Sequence, residues 1–333
     1  MSNTGLAVLV MGATLGVTTI GVAMDKRTLP EVVDFGAVTA DPGVAYDATA
    51  PLLSRSPVKQ FRIPVTHQRI QIDDDVMYDG WTFGGTVPGP TLRVRQGDRV
   101  EITLVNESNT PHSIDLHSAR IPMDEAMKTI MPGDSLHFEF IARDAGAYLV
   151  HCGTPPVLMH IMQGMYLAII VDPLYGWSTR ADREFVIVQS EFYAKPGDHA
   201  VAEPDWDAAR DKRASHVVFN GRAFQYKRAP LRVNIGDRVR FFVVNAGPSE
   251  RSDFHVAGAV FDRVYPDGNP RHALNSIQTW PIAAGGGAVF EIVFEEGASG
   301  EGTYAFVTHA FADADKGAVG LIKVGNPAGP VTH

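Results

Sequence analysis

The 333-residue chain contains a single cysteine, and this scarcity limits the chemistry that is open to it. One cysteine excludes an intramolecular disulfide, a CxxC redox pair and a zinc site of the Cys₄ or Cys₂His₂ type. Runs rich in Lys and Arg are also missing and the net charge is −9, so nucleic acid is not an expected partner. Only 20% of the residues are charged whereas 45% are hydrophobic, which is typical of a globular protein.

Charge is also absent from residues 5–24, and a run of this length is sufficient to span a bilayer. The run is only weakly apolar, and Gly21-Val22-Ala23 offers small residues for signal-peptide cleavage. The segment 1–27 is therefore predicted to be a signal peptide or a membrane anchor. A buried helix is the third interpretation.

Short strands separated by turns are predicted for the rest of the chain. The 32 Gly and 22 Pro favour many turns and hence β structure. Four prolines interrupt residues 28–60, which are predicted to be a linker or N-terminal arm. From residue 61 onward apolar and polar residues alternate, as in Val100–Val105. The fold class is thus all-β, with one short helix expected within 204–213.

An internal repeat divides this β region into two parts. The sequence LRVRQGDRV at 92–100 returns as LRVNIGDRV at 231–239. Two copies of one β-sandwich domain follow from this repeat. With the join near Pro173, the predicted domains are 61–173 and 174–333.

The single cysteine lies among residues that are soft metal ligands. Cys152 is followed by His160 and Met165, and His112 comes shortly after the first copy of the repeat. Two imidazoles, a thiolate and a weak axial thioether form the donor set that selects copper for electron transfer. A lone cysteine is otherwise a buried core residue, but the spacing of its neighbours favours ligation.

A second metal site is predicted from the alternation of side chains along a strand. Because neighbouring side chains point to opposite faces, His151 should point away from the site that holds Cys152. His117 is displaced from His112 in the same way, and His309 in the second copy supplies a third imidazole. Three imidazoles with an open position suit copper or zinc, whereas each histidine alone would be interpreted as a hydrogen-bonded core residue.

These motifs resemble those of the copper-containing nitrite reductases, from about residue 61 to residue 325. The resemblance implies two tandem Greek-key cupredoxin-like domains, a homotrimer, a periplasmic location and one-electron, two-proton reduction of nitrite to nitric oxide. It also implies two coppers per chain. The thiolate (type 1) copper would be held by His112, Cys152, His160 and Met165, and the type 2 copper by His117, His151 and His309, with His309 contributed by the neighbouring subunit.

The same resemblance implies catalytic roles for Asp115 and His255, with Thr279 beside that histidine. Both side chains are of types that can relay protons near neutral pH; the alternatives are that Asp115 is a surface turn residue and His255 a satisfied core histidine. Two departures from the family are evident. The interval from Cys152 to His160 is one residue shorter than usual, and Ala257 replaces a bulkier aliphatic residue above the type 2 copper, so we expect a wider pocket.

Two other functions remain as alternatives. A laccase-like multicopper oxidase needs His-X-His pairs and a His-Cys-His triplet, but Gly153 follows Cys152 and no His-X-His occurs in the sequence. A non-catalytic blue-copper electron carrier would need only the Cys152 site. The expected partners are nitrite and a small electron-donor protein, either a cytochrome or a cupredoxin, and membrane anchoring through residues 5–24 stays open.

Overall fold

The computed structural model describes residues 30–36, 41–197, 201–295 and 300–326. The predicted signal peptide or membrane anchor at 1–27 lies outside these residues. No helix in the described ranges is both long and apolar enough to cross a membrane.

The described residues form a fold dominated by strands. The first half of the chain contributes β1 Glu31–Asp34, β2 Val58–Asp73, β3 Val76–Phe83, β4 Leu92–Arg95, β5 Arg99–Asn106, β6 Asp115–Leu116, β7 Ser135–Ile141, β8 Gly146–His151 and β9 Tyr166–Asp172. The second half contributes β10 Arg183–Phe192, β11 Ala194–Lys195, β12 Val201–Pro204, β13 His216–Phe219, β14 Leu231–Val233, β15 Arg238–Gly247, β16 Ser252–Ala257, β17 Phe261–Pro266, β18 Leu274–Ile277, β19 Thr279–Ile282, β20 Gly287–Val293, β21 Gly302–Thr308 and β22 Val319–Val324. The helices are α1 Met123–Ala126, α2 Val157–Met162, α3 Trp206–Arg210, α4 Gln225–Arg228 and α5 Phe311–Ala314. The all-β prediction is confirmed, and α3 lies within the predicted 204–213.

The strands are arranged in four sheets within the described part of the chain. One sheet has the order β11-β12-β3-β2-β5-β7 with β1 beside β2, and it faces the sheet β4-β9-β8-β6. The second pair consists of β13-β10-β15-β20-β17-β18 and β14-β22-β21-β16-β19. Each pair encloses its own apolar core, so the chain forms two tandem β-sandwiches as predicted.

The repeated motif occupies the same place in both sandwiches. In each copy a glycine with positive φ turns the chain between two strands, Gly97 with φ +97° and Gly236 with φ +84°. The next residue closes the turn, because Asp98 Oδ2 accepts from the Arg95 amide at 2.8 Å and Asp237 Oδ2 from the Asn234 amide at 2.9 Å. The first strand of each motif then pairs in parallel with the last strand of its sandwich, β4 with β9 and β14 with β22.

Strand β9 shows how the two sandwiches are joined. All seven of its residues are buried, which explains why residues 166–171 are continuously apolar instead of alternating. Leu167 and Ile169 point into the first core, whereas Tyr166 and Ile170 point into a third cluster that includes Phe242 of β15. The sheet that carries the cysteine strand is therefore covered on both faces.

Candidate metal centres

The first candidate centre lies at one end of the first sandwich. Cys152 directly follows β8 and belongs to the first core together with Met165. Its Sγ lies 3.2 Å from His160 Nδ1, and His160 Nδ1 lies 3.2 Å from His112 Nδ1. His160 is carried by α2, and His112 is held by backbone bonds with Ile130. The structure thus brings together the thiolate and both imidazoles that the sequence predicted.

The backbone also ties the predicted axial ligand to this group. The amide of Cys152 donates to the carbonyl of Met165 at 3.1 Å, and the amide of Met165 donates to the carbonyl of His160 at 3.1 Å. The amide of Ser113 donates to Cys152 Sγ at 3.4 Å, which stabilises a thiolate. These contacts hold Cys152, His160 and Met165 close to one another.

Burial keeps the two imidazoles of this centre neutral. Burial lowers the pKa of His112 to about 3, with a further contribution from the neighbouring His160. Burial likewise lowers the pKa of His160 to about 4. A metal binds the neutral form of histidine, so both residues are ready for ligation at neutral pH. A buried set of two imidazoles, one thiolate and a thioether fits copper.

The second candidate centre lies on the opposite face of the same strand. His117 Nε2 and His151 Nε2 are 3.1 Å apart. The other ring nitrogen of each histidine contacts a backbone carbonyl. His117 Nδ1 lies 3.0 Å from the carbonyl oxygen of Gly285, and His151 Nδ1 lies 2.9 Å from the carbonyl oxygen of Cys152. Since each Nδ1–H donates to a carbonyl, both Nε2 atoms present lone pairs to the same point. This arrangement fits a cation held by two imidazoles.

Asp115 is the third polar side chain of this group. Its Oδ2 lies 3.5 Å from His151 Nε2 and 3.8 Å from His117 Nε2. Asp115 pairs with His151 across β6 and β8, which brings the carboxylate to the imidazoles. Burial lowers the pKa of His151, so this imidazole also favours its neutral, ligating form.

Within one chain the structure does not bring His309 into this group. Among the described residues, His309 is absent from the donors that lie within 4.8 Å of one another with His117 and His151. It lies instead beside His255, with 5.3 Å between the ring centroids. The exposed ring of Phe311 packs against it at 4.8 Å. The predicted second centre is thus divided into two half-sites on two sandwiches.

The half-site on the second sandwich orients His255. Its Nδ1 donates to the carbonyl of Gln278 at 2.6 Å, and Thr279 Oγ1 lies 3.3 Å from the same nitrogen. This leaves Nε2 of His255 free of these contacts. Thr279 is the cross-strand partner of His255, so it lies beside that histidine as the family resemblance implied. Ala257 is exposed on the same strand.

Two residues near the first centre were not found by sequence reasoning. His67 on β2 and Trp81 on β3 are cross-strand partners, and their rings stack at 4.9 Å with an interplanar angle of 6°. Trp81 also meets the edges of His112 at 5.3 Å and His160 at 4.9 Å. Both lie far from Cys152 in sequence, and only strand pairing brings them close. The spacing of His67 from the other histidines in the sequence therefore gave no indication that it lies near the metal site.

The comparisons with known proteins agree with this geometry. The family described as multicopper oxidase matches residues 64–175. The copper-containing nitrite reductase of Neisseria meningitidis serogroup A is 38% identical over 277 residues, which cover 81% of this chain and 70% of that protein. The chain belongs to the copper-containing nitrite reductase family.

Solved structures support the same family. A copper nitrite reductase from Nitrosomonas europaea has a TM-score of 0.75 and 37% sequence identity, over 82% of this chain and 96% of that one. A multicopper oxidase has a TM-score of 0.71 and 26% identity, over 80% of this chain and 89% of that one. The resemblance stated from the motifs is confirmed, and a multicopper oxidase is the less supported alternative.

Proposed function

We propose that this chain reduces nitrite to nitric oxide and water with one electron and two protons, using two coppers per chain. His112, Cys152, His160 and Met165 would hold the type 1 copper, and His117, His151 and His309 the type 2 copper. One observation carries this proposal. Cys152 and His151 are consecutive residues that face opposite sides of one strand, each within its own cluster of ligand atoms.

The electron route follows from that adjacency. Cys152 and His151 are joined by one peptide, and the carbonyl of Cys152 accepts a hydrogen bond from His151 Nδ1 at 2.9 Å. An electron delivered at the Cys152 thiolate therefore reaches the His151 imidazole through a short covalent path and a parallel hydrogen bond. Copper held at the two centres would supply one-electron redox exchange at both and would polarise a nitrite oxygen at the second.

Asp115 and His255 would supply the two protons. Asp115 lies beside the imidazoles of the first half-site, and its 3.5 Å distance to His151 Nε2 leaves its carboxylate close to a bound substrate. His255 is held by Gln278 and Thr279 through Nδ1, so its Nε2 would hold and release the proton. Nitrite gains one electron and two protons, one oxygen leaves as water, and nitric oxide remains.

The divided second centre requires a second copy of the chain. One face presents His117, His151 and Asp115, and another presents His309, His255 and the exposed Phe311. A head-to-tail contact between unlike faces closes into a ring when the rotation between successive copies is a whole fraction of a turn. We propose a homotrimer in which each contact completes one type 2 centre.

The proposal also includes the domain boundaries, the cellular location, the electron donor and the width of the substrate pocket. We propose domains at 61–173 and 174–333, because each contains its own sandwich core. A periplasmic location and a small electron-donor protein, a cytochrome or a cupredoxin, would suit this chemistry. The net charge of −9 favours a basic donor by electrostatic steering. Ala257, exposed beside His255, would leave a wide substrate pocket.

Mixing two inactive variants tests this proposal. His151→Ala damages one face and His309→Ala the other, so each homotrimer should lack nitrite turnover. A mixed trimer contains one contact in which both faces are intact. Random reassembly of an equal mixture should therefore restore about a quarter of the wild-type nitric oxide yield. Failure to restore any activity in verified mixed trimers would contradict a centre shared between subunits.

A further inference from the structure

The distal nitrogen of His112 has two polar neighbours that no part of the proposed reaction uses. His112 Nε2 lies 2.8 Å from Thr110 Oγ1 and 3.1 Å from His67 Nε2. Thr110 Oγ1 also lies 3.2 Å from His67 Nε2. The three atoms form a closed triangle on the side of His112 that faces away from Cys152.

Ligation decides which of these atoms donates. His112 points Nδ1 at His160 and at the thiolate cluster, so a metal bound there leaves the proton of the imidazole on Nε2. That N–H must donate outward to the hydroxyl of Thr110 and to the lone pair of His67 Nε2. His67 Nε2 offers one lone pair, which the His112 N–H uses, so the hydroxyl oxygen of Thr110 serves as the second acceptor of that N–H.

The position of His67 is fixed from its other side. Its ring lies flat on Trp81, with 4.9 Å between centroids and 6° between planes, and β2 and β3 hold the two residues in register. Trp81 itself packs against the edges of both imidazoles of the type 1 centre. The stacked pair is therefore a rigid outer wall of that centre, since rotation of His67 would break the stacking.

We propose that His67 is a positioning residue that accepts the hydrogen bond of the copper-bound His112 and thereby lowers the reduction potential of the type 1 copper. The inference depends on the proposed assignment of that copper to His112. An imidazole whose distal N–H is accepted is more electron-rich and better oriented. A more electron-rich ligand favours Cu(II) over Cu(I), so the acceptor lowers the potential.

His67→Ala tests this inference in the copper-loaded full-length protein. The potential is measured by following the thiolate-to-copper absorption during a redox titration without nitrite. We expect about a tenfold loss of preference for Cu(II) over Cu(I), an upward shift of about 59 mV for a one-electron couple. His67→Gln, which can place an amide oxygen near the position of Nε2, should return the potential most of the way to the wild-type value.

The control is His137→Ala, which removes an exposed histidine from β7, where it contacts Thr103 Oγ1 at 3.1 Å. This variant should keep the wild-type potential. His67 is only partly buried and borders a surface depression, so His67→Ala should fold and bind copper. Thr110→Val, which removes the other acceptor, should shift the potential in the same direction.

An unchanged potential and absorption in copper-loaded His67→Ala would overturn the inference, as would an equal shift in His137→Ala. The readout needs no turnover, so a protein that fails to reduce nitrite but shows the expected shift contradicts only the proposed function. A wild-type protein without thiolate-to-copper absorption would contradict both.

Discussion

The same corner of the β-sandwich is built twice in this chain, once around the Cys152 thiol and once around the Thr308 hydroxyl. In the first copy, the amide of Cys152 donates to the carbonyl of Met165 at 3.1 Å, and the amide of Ser113 donates to Cys152 Sγ at 3.4 Å. In the second copy, Thr308 donates to the carbonyl of Ala318 at 3.2 Å and accepts from the Asp253 amide at 3.1 Å. These two hydrogen bonds are equivalent in both copies, but the side-chain atom that accepts the second one is a sulfur in the first copy and a hydroxyl oxygen in the second.

The two copies together separate the residues that are required for folding from those that are required for metal binding. Thr308 accepts the same backbone hydrogen bond as Cys152, so the corner folds without a thiolate. Asp115 follows Ser113 by two residues, and His255 follows Asp253 by two residues. The two proposed proton donors therefore come from the equivalent position of the two copies. The proposed type 1 centre is therefore confined to the first copy by its side chains and not by its backbone.

The largest expected effect comes from the residue on which the comparison depends. Cys152→Ala should remove the thiolate absorption and reduce nitrite turnover to background, because the electron entry point is lost. Thr308→Val, the matched change in the second copy, leaves the buried Asp253 amide without its acceptor. It should cost about 1–3 kcal/mol of stability while keeping absorption and turnover. Absorption spectra, nitric oxide assays and denaturant melts measure these outcomes.

The division of the second centre between the sandwiches gives the next prediction. His309→Ala should remove the type 2 copper and abolish turnover, yet leave the absorption of the Cys152 centre intact. Copper analysis and visible spectroscopy on the same sample measure both. If the visible absorption disappeared in this variant, the ligands would be wrongly divided between the two centres.

Substitution of the equivalent proton donors should have a smaller effect. Asp115→Asn and His255→Ala should each lower the catalytic rate by a factor of about 10² to 10⁴, the usual contribution of general acid–base catalysis. Both coppers should stay bound, since neither residue is assigned as a ligand. Steady-state kinetics with metal analysis tests this. Loss of the type 2 copper in Asp115→Asn would make Asp115 a ligand instead.

The final prediction concerns the stability of the copper-free protein in acid. Burial lowers the pKa of His112 to about 3 and that of His160 to about 4 in the folded, metal-free protein. An unfolded histidine titrates near 6.5, so the unfolded state binds more protons below that pH. Stability should therefore be full above pH 6.5 and fall as the pH decreases towards 4.

Thermal melts of the copper-free protein between pH 7.5 and 4 measure this slope. His160→Gln should flatten it, because one depressed pKa is removed. Thr308→Val should leave the slope as in the wild type, since the second copy holds no histidine at the matching position. A slope that does not change in His160→Gln would contradict the assignment of acid sensitivity to this centre.

Much of this architecture was predictable because its signals are local. The repeat at 92–100 and 231–239 located the two sandwiches, and the alternation of side chains separated Cys152 from His151. The roles of Asp115 and His255 came instead from family resemblance. His67 and Trp81 were not predictable, because their proximity to His112 depends on the pairing of β2 with β3 and leaves no trace in sequence spacing. Nor could the sequence alone show that His309 lies with His255 and apart from His117 within one chain.

The proposed function requires that two centres of different composition act together on nitrite. Its most direct test is to count copper per chain and assay nitric oxide from nitrite, with an artificial electron donor, on the same preparation. Two coppers per chain with nitric oxide formation is the predicted result. One copper per chain and no nitric oxide would contradict the proposed function and leave only an electron carrier.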